Sequence, residues 1–313
     1  MLAEKMHPRT EALHPSALEL DTLSTKEIVA LLLLEEKRSL AAVEASMPDI
    51  ARVADLVIEN MYKGGRLIYV GAGTSGRLAT LDAAECVPTF GIPKGKVLAI
   101  MAGGLSAFIH AVEGVEDDEH TARREMQELI LNTRDVVCGI AASGTTPFVI
   151  AALLEARQRD AHTVLITNGL VPEYCGRPVA DMVVMLDTGP ELIAGSTRLK
   201  AGTAQKMVLN ALSTAVFVRL GKTYGGLMID VQPTNGKLRK RASRIVKLLT
   251  GVSHERATEL LRTAGWHVKK AIIMHHKQVA PVEAARILRE HDDHLRDVIG
   301  DVDYIANSKE IDG

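Results

Sequence analysis

Aromatic side chains make up only 3% of this 313-residue chain, too few for the stacking platforms that grip single-stranded nucleic acid. Charge is nearly balanced, with 37 Lys and Arg against 39 Asp and Glu. No basic excess invites nucleic acid or an anionic membrane surface. No apolar run approaches the ~18 residues of a membrane span; the greasiest, Ile28 to Leu34, is far too short. A basic start followed by an apolar core, the mark of a signal peptide, is missing. Cysteine is scarce too: Cys86, Cys138 and Cys175 form no C-x-x-C pair and leave an odd count, which suggests reduced thiols and a cytoplasmic protein. No His/Cys/Asp cluster has metal-ligand spacing, and His275-His276 reads as helix surface.

The chain does carry a stretch that organises the rest, Arg66-Leu67-Ile68-Tyr69-Val70-Gly71-Ala72-Gly73-Thr74-Ser75-Gly76-Arg77. A short apolar run ends in a glycine- and hydroxyl-rich turn, then continues into helical sequence. Strand, tight turn and helix N-terminus together make an anion site. The spacing Gly71, Gly73, Gly76 also fits a dinucleotide fingerprint, which calls for an acid closing the second strand. The second apolar run, Val97 to Met101, ends instead in Ala102-Gly103-Gly104. Sugar phosphate is therefore the better ligand.

Apolar runs recur at Leu67–Val70, Val97–Met101, Val136–Ala141, Val164–Thr167 and Met182–Leu186. They are too uniformly apolar for half-solvated strands, so they predict a parallel sheet covered on both faces. Helical segments at Gly76–Cys86, Asp117–Leu131 and Pro147–Gln158 alternate with them. The expected architecture is a doubly wound α/β domain with a five-stranded parallel sheet between helices. Before it, residues 1–22 read as an extended arm. A capping box at Ser24-Thr25-Lys26-Glu27 opens a helix running to about Leu40, and Pro48 suits the first turn of another. Thr203–Leu220 predicts a helix buried in a core or a dimer interface. Later helices are expected at Lys237–Thr250, Ser253–Ala264, His267–His276 and Pro281–Glu290. The expected division is 1–62 as arm and packing helices, 63–222 as the α/β core, and 223–313 as a helical region.

A second loop, Ala142-Ser143-Gly144-Thr145-Thr146-Pro147, repeats the strand, hydroxyl, glycine and helix-start pattern. Two such loops from one parallel sheet converge at the carboxyl edge of its strands, where open α/β sheets bind ligands. This makes Gly73, Thr74, Ser75, Ser143, Gly144, Thr145 and Thr146 candidate phosphate contacts. A third polar stretch contributes Glu191, Ser196, Thr197 and Lys200 just before the apolar helix. Among carboxylates, Glu85 has small or apolar sequence neighbours, and desolvation there would suit it to general acid work. Glu113 and Glu116 follow the second strand; either could be catalytic or simply a helix-start acid.

Together these motifs resemble the sugar isomerase (SIS) domain family, and within it the N-acetylmuramic acid 6-phosphate etherases of bacterial cell-wall sugar recycling. The resemblance runs from about Leu23 to the C-terminus. It rests on Gly64–Leu78, Asp82–Pro88, Ala111–Asp117, Gly139–Gly144, Gly195–Lys206 and Asp230-Val231-Gln232-Pro233-Thr234-Asn235. It implies a flavodoxin-like core, a small C-terminal domain of ubiquitin-associated-like shape, and a homodimer with its site at the subunit interface. The implied reaction needs no cofactor. It removes the lactyl ether of a sugar phosphate by β-elimination and water addition, with Glu85 as proton donor and Glu116 as second catalytic glutamate. Ser75, Ser143 and Thr146 fall where SIS domains hold phosphate, and Glu191 where some related isomerases place a catalytic group. The chain departs from the family at Thr145, where arginine is usual, at Thr10-Glu11-Ala12-Leu13-His14-Pro15, which lacks the usual Arg-Asn, and at Asn168-Gly169, where Asn-Pro is usual. Alternatives of other classes are a non-catalytic sugar-phosphate sensor, like glucokinase regulatory proteins, and an aldose–ketose isomerase.

Overall fold

A computed structural model describes residues 9–302. These fall into two compact units, residues up to 84 with 95–214, and residues 85–94 with those from 215 onward. Two of the breaks fall inside continuous helices, at 84/85 within Gly73–Phe90 and at 214/215 within Lys200–Arg219.

In the first unit the described arm is not extended: short 3-10 turns occur at Arg9–Glu11, Pro15–Ala17 and Leu20–Thr22. His14 caps the second turn by accepting from the Ser16 N–H. Helix α1 (Thr25–Ala45) opens with the expected capping box: Ser24 N–H donates to Glu27 at 2.8 Å, and the Ser24 hydroxyl accepts from Glu27 N–H. It runs five residues past Leu40. Helix α2 (Met47–Tyr62) follows with Pro48 in its first turn and ends before Lys63-Gly64-Gly65.

The sheet then begins with β1 (Leu67–Gly71), followed by α3 (Gly73–Phe90), β2 (Val97–Met101), α4 (Gly104–Ile109), α5 (Glu119–Glu128), β3 (Val136–Ala141), α6 (Pro147–Gln158) and β4 (His162–Thr167). A small antiparallel pair, β5 (Glu173–Tyr174) and β6 (Arg177–Pro178), precedes the last sheet strand, β7 (Met182–Met185). Helix α7 (Lys200–Arg219) follows. All pairings in the main sheet are parallel, in the order β2-β1-β3-β4-β7. The uniformly apolar strands are buried on both faces, as in β1 and β3. Ile68, Val70, Val137 and Leu165 share a core with Phe148, Val149, Ala152 and Leu153 of α6. Gly139 lets α6 lie against β3, since a Cβ there would meet the Val149 side chain at 2.6 Å. At the other end of the strands, the fully buried Asp135 carboxylate receives Arg66 Nη2 at 2.6 Å and Arg66 Nε at 3.0 Å, pinning the starts of β1 and β3.

Two expected helix limits shift. The α3 helix starts at Gly73, whose φ of +53° only glycine takes readily, and continues through Pro88 to Phe90. The segment 117–131 is broken: Val115–Asp117 forms a 3-10 turn, and Asp118 then caps α5 by accepting from Thr121 N–H at 2.9 Å.

In the second unit, α8 (Gly236–Thr250), α9 (His254–Thr263), α10 (Val268–Lys277), α11 (Pro281–Glu290) and α12 (Leu295–Ile299) enclose their own core around Val246, Leu249, Leu261 and Ile272. Asn235 and Ser253 cap α8 and α9, and Gly251 closes α8 in the left-handed region. Tyr224 is held there by donating to Gly300 O at 2.7 Å.

Candidate functional site

The strand order reverses between β1 and β3, the switch point at which open α/β sheets bind ligands beyond the carboxyl ends of their strands. A cavity of about 350 Å³ lies there. From the β1–α3 turn it is lined by Ala72, Gly73, Thr74 and Ser75; from the β3–α6 loop by Ala142, Ser143, Thr145, Thr146 and Pro147. Tight glycine packing fixes the first turn: a Cβ on Gly71 would meet Gly76 N at 2.7 Å, and one on Gly76 would meet Gly71 O at 2.7 Å. In the second loop Gly144 has φ +79°, and a Cβ on it would lie 1.8 Å from Leu170 O.

The hydroxyls differ in what they do. Ser75 is buried and donates to Gln205 Oε1 at 2.8 Å. Gln205 in turn donates to Asn168 Oδ1 at 2.9 Å, so the first turn is braced through α7 to the loop after β4. Ser143 Oγ accepts from Thr145 N–H at 3.1 Å and from the Thr145 hydroxyl at 3.2 Å, which folds the loop back on itself. Thr146 occupies the N-cap of α6 but makes no side-chain cap hydrogen bond. Its hydroxyl and the first N–H groups of α3 and α6 are the natural anion donors here.

The remaining wall comes from elsewhere in the unit. Thr10 and Glu11 on the arm, Glu116 and Asp117 on the turn before α5, and Gly195 and Thr197 before α7 complete the lining. Gly195 N–H donates to Thr10 O at 3.0 Å, joining arm and loop. Three carboxylates and no Lys or Arg line the cavity among the described residues. An anion there depends on amides, hydroxyls and helix dipoles. Among the described residues no group of three His, Cys, Asp or Glu could hold a metal ion.

Several expected site residues lie elsewhere. Lys200 is 2% exposed, and its ammonium donates to Glu35 at 2.6 Å and to Pro190 O at 2.7 Å. Its charge is consumed by a buried ion pair rather than offered to a ligand. Burial alone would raise the Glu35 carboxyl, but Lys200, with Arg38 and His14, outweighs it and holds the group below the usual carboxylate range. Glu191, also buried, accepts from Ala201 N–H at 2.9 Å and Lys200 N–H at 3.2 Å, so it caps α7. Burial pushes its pKa up, against the pull of those two amides. Ser196 sits beside Thr197 without lining the cavity, and Gly144 shapes the second loop from behind.

Glu116 lines the cavity, and Glu113 does not. Glu85 is exposed on α3 beside exposed Leu81 and Ala84, so the described residues of one chain do not provide the expected desolvation. It lies ten residues beyond Ser75, about 15 Å along the helix axis, and is not among the lining residues. Asp117, Glu11 and Thr10 are cavity-lining positions that composition and periodicity do not single out; the arm motif quoted for the resemblance is the one signal pointing to the last two.

Comparison with known proteins places these features in a family. The glucokinase regulatory protein N-terminal SIS domain family matches residues 49–157. An N-acetylmuramic acid 6-phosphate etherase of Geobacillus thermodenitrificans is 48% identical, covering 93% of this chain and 98% of the relative. That of Deinococcus radiodurans is 44% identical, covering 96% and 98%. Among solved structures, a phosphoheptose isomerase from Francisella tularensis superposes with a TM-score of 0.47 at 16% identity, covering 63% of this chain and 99% of its own.

Proposed function

The chain belongs to the N-acetylmuramic acid 6-phosphate etherase family, and from that premise we propose that it is a cytoplasmic carbon–oxygen lyase. It cleaves the D-lactyl ether of N-acetylmuramic acid 6-phosphate to N-acetylglucosamine 6-phosphate and D-lactate. The observation that carries this reading is the switch-point cavity, where two hydroxyl-bearing loops and two helix N-termini meet a glutamate, Glu116, on one floor.

In the mechanism we infer, the phosphate sits against the N-termini of α3 and α6 with Thr74, Ser143, Thr145 and Thr146. The sugar reacts as its open-chain aldehyde. The C2 proton, acidified by the adjacent carbonyl, leaves to a carboxylate base. The electron pair forms the C2–C3 double bond as the C3–O bond breaks, and a carboxylic acid protonates the departing lactate oxygen. Water then adds at C3 and a proton returns to C2, so the net reaction consumes one water. One carboxylate and one carboxylic acid answer these opposite needs, and we assign them to Glu116 and Glu85.

Glu85 is exposed and absent from the cavity lining of its own chain. This supports a homodimer in which Glu85 completes the site of the second copy, shielded there from water. Exposed Val29, Leu33, Leu34 and Leu40 on α1 offer apolar surface for such pairing. The α7 helix buries most of its apolar side chains, leaving only Val218 among its large ones well exposed, so it serves chiefly as a core helix.

The test is D-lactate release from N-acetylmuramic acid 6-phosphate, comparing wild type with Glu85→Gln and Glu116→Gln. Release by wild type, with a loss of at least 100-fold in each variant, supports the assignment. Complementation in a mixture of the two single variants would place one glutamate from each copy at a shared site. No release by wild type, with sugar phosphate still raising the melting temperature, would favour a sensor.

A further inference from the structure

The arm carries a group that the mechanism above leaves unused. Thr10 is 1% exposed, and its hydroxyl is a buried polar side-chain atom with no hydrogen-bond partner among the described residues. Buried hydroxyls are almost always paired, because an unpaired one loses its water without replacement. A valine would fill the same volume without that penalty. Thr10 lines the switch-point cavity, and its backbone is held in place by the Gly195 N–H at 3.0 Å.

We propose that the Thr10 hydroxyl is a specificity contact to the sugar end of the bound sugar phosphate, not to its phosphate. This deepens, and rests on, the reading of the cavity as a sugar-phosphate site. The neighbouring chemistry decides which end. Glu11, next in the chain, also lines the cavity, and its carboxylate repels a phosphate while accepting hydrogen bonds from sugar hydroxyls or an amide N–H. The anion donors lie on other segments of the lining, at Ser143, Thr145 and Thr146 and the helix starts. A hydroxyl that both donates and accepts, set beside a carboxylate, matches the hydroxyl- and amide-bearing part of an amino sugar.

The experiment measures melting temperature of wild type, Thr10→Val and Thr10→Ser over a titration with N-acetylglucosamine 6-phosphate and, separately, with inorganic phosphate. Free Thr10→Val should melt at or above the wild-type temperature, since it removes an unpaired buried group. Its apparent affinity for the sugar phosphate should fall roughly tenfold, while that for phosphate stays put. Thr10→Ser, which keeps the hydroxyl, should follow wild type. Unchanged affinity for both ligands in Thr10→Val overturns the proposal, and so does an equal loss for both, which would mean a role toward phosphate or in loop shape. If Thr10→Val does not fold, Thr10→Ala against Thr10→Ser reads the same difference. A wild type that responds to neither ligand removes the sugar-phosphate reading of the cavity, and this inference with it; a defect seen only in the variants concerns Thr10 alone.

Discussion

Lys200 separates two accounts of one residue. Its place in a run of cations and hydroxyls suggests a ligand contact, whereas the structure buries it against Glu35. Replacing it by methionine keeps the length of the side chain and deletes the charge. Glu35 would then keep His14 at 3.0 Å and the largely exposed Arg38 at 3.2 Å, but lose the ammonium at 2.6 Å. The Pro190 carbonyl would lose its donor as well. Removing one partner of a buried pair costs about 3–5 kcal/mol. With His14 and Arg38 remaining, the lower end applies, and a loss of about 3 kcal/mol lowers the melting temperature of a unit this size by roughly 6–12 °C.

The pH dependence has a definite sign. In the wild type the Glu35 pKa is lowered, so its contribution is full above the unfolded carboxylate pKa of about 4.3 and is lost as pH falls through the lower folded value. In Lys200→Met the burial effect is left less opposed and the folded pKa rises. The deficit against wild type is therefore largest at neutral pH and shrinks toward pH 4, as Glu35 takes up a proton. Adding Glu35→Gln to Lys200→Met should restore most of the loss, because no buried charge is then unpaired and an acceptor for His14 survives. Thermal melts of the three proteins between pH 4 and 7.5 measure all of this. A Lys200→Met protein that melts like wild type at pH 7 but no longer responds to sugar phosphate would refute the reasoning and return Lys200 to the site.

Gly144→Ala puts a side chain at φ +79° and drives a Cβ toward Leu170 O; the loop must move, costing at least 1–2 kcal/mol of stability and weakening phosphate binding, which melting and ligand titration together would reveal. Thr145→Arg adds a cation to a cavity lined by three carboxylates, and should tighten phosphate-bearing ligands severalfold at low salt with the gain fading as salt rises; an affinity indifferent to salt would count against it. Cys138 is buried with its thiol pushed up to about 12, Cys86 is buried, and Cys175 is exposed, so an aromatic disulfide reagent should modify one thiol in the native protein and three after denaturation.

Most of the fold was readable because its signals are local. Uniformly apolar runs of four to six residues marked β1, β2 and β3, and proline at the first turn marked the start of α6. The two hydroxyl-bearing loops that line the cavity were readable for the same reason, since glycine and hydroxyl chemistry is written within a few residues. What escaped depends on distance. Nothing around Lys200 announces Glu35, which lies 165 positions earlier and meets it through the packing of α1 against the start of α7. Nothing around Glu191 announces that the helix opening at Lys200 would need its carboxylate as a cap. Thr10 and Glu11 lie on an arm without periodicity, so only tertiary structure could place them beside a cavity made more than sixty residues later. The same physics moves charged residues in both directions. Charged residues that look available in sequence, Lys200 and Glu191, are buried because helix starts and ion pairs need them. The carboxylate expected to be buried, Glu85, is exposed because the described residues of one copy present nothing to cover that face of α3. For the proposed chemistry, a second chain is the means of covering it, so Glu85 should be inactive as an acid in any variant that stays monomeric, even one that binds sugar phosphate normally.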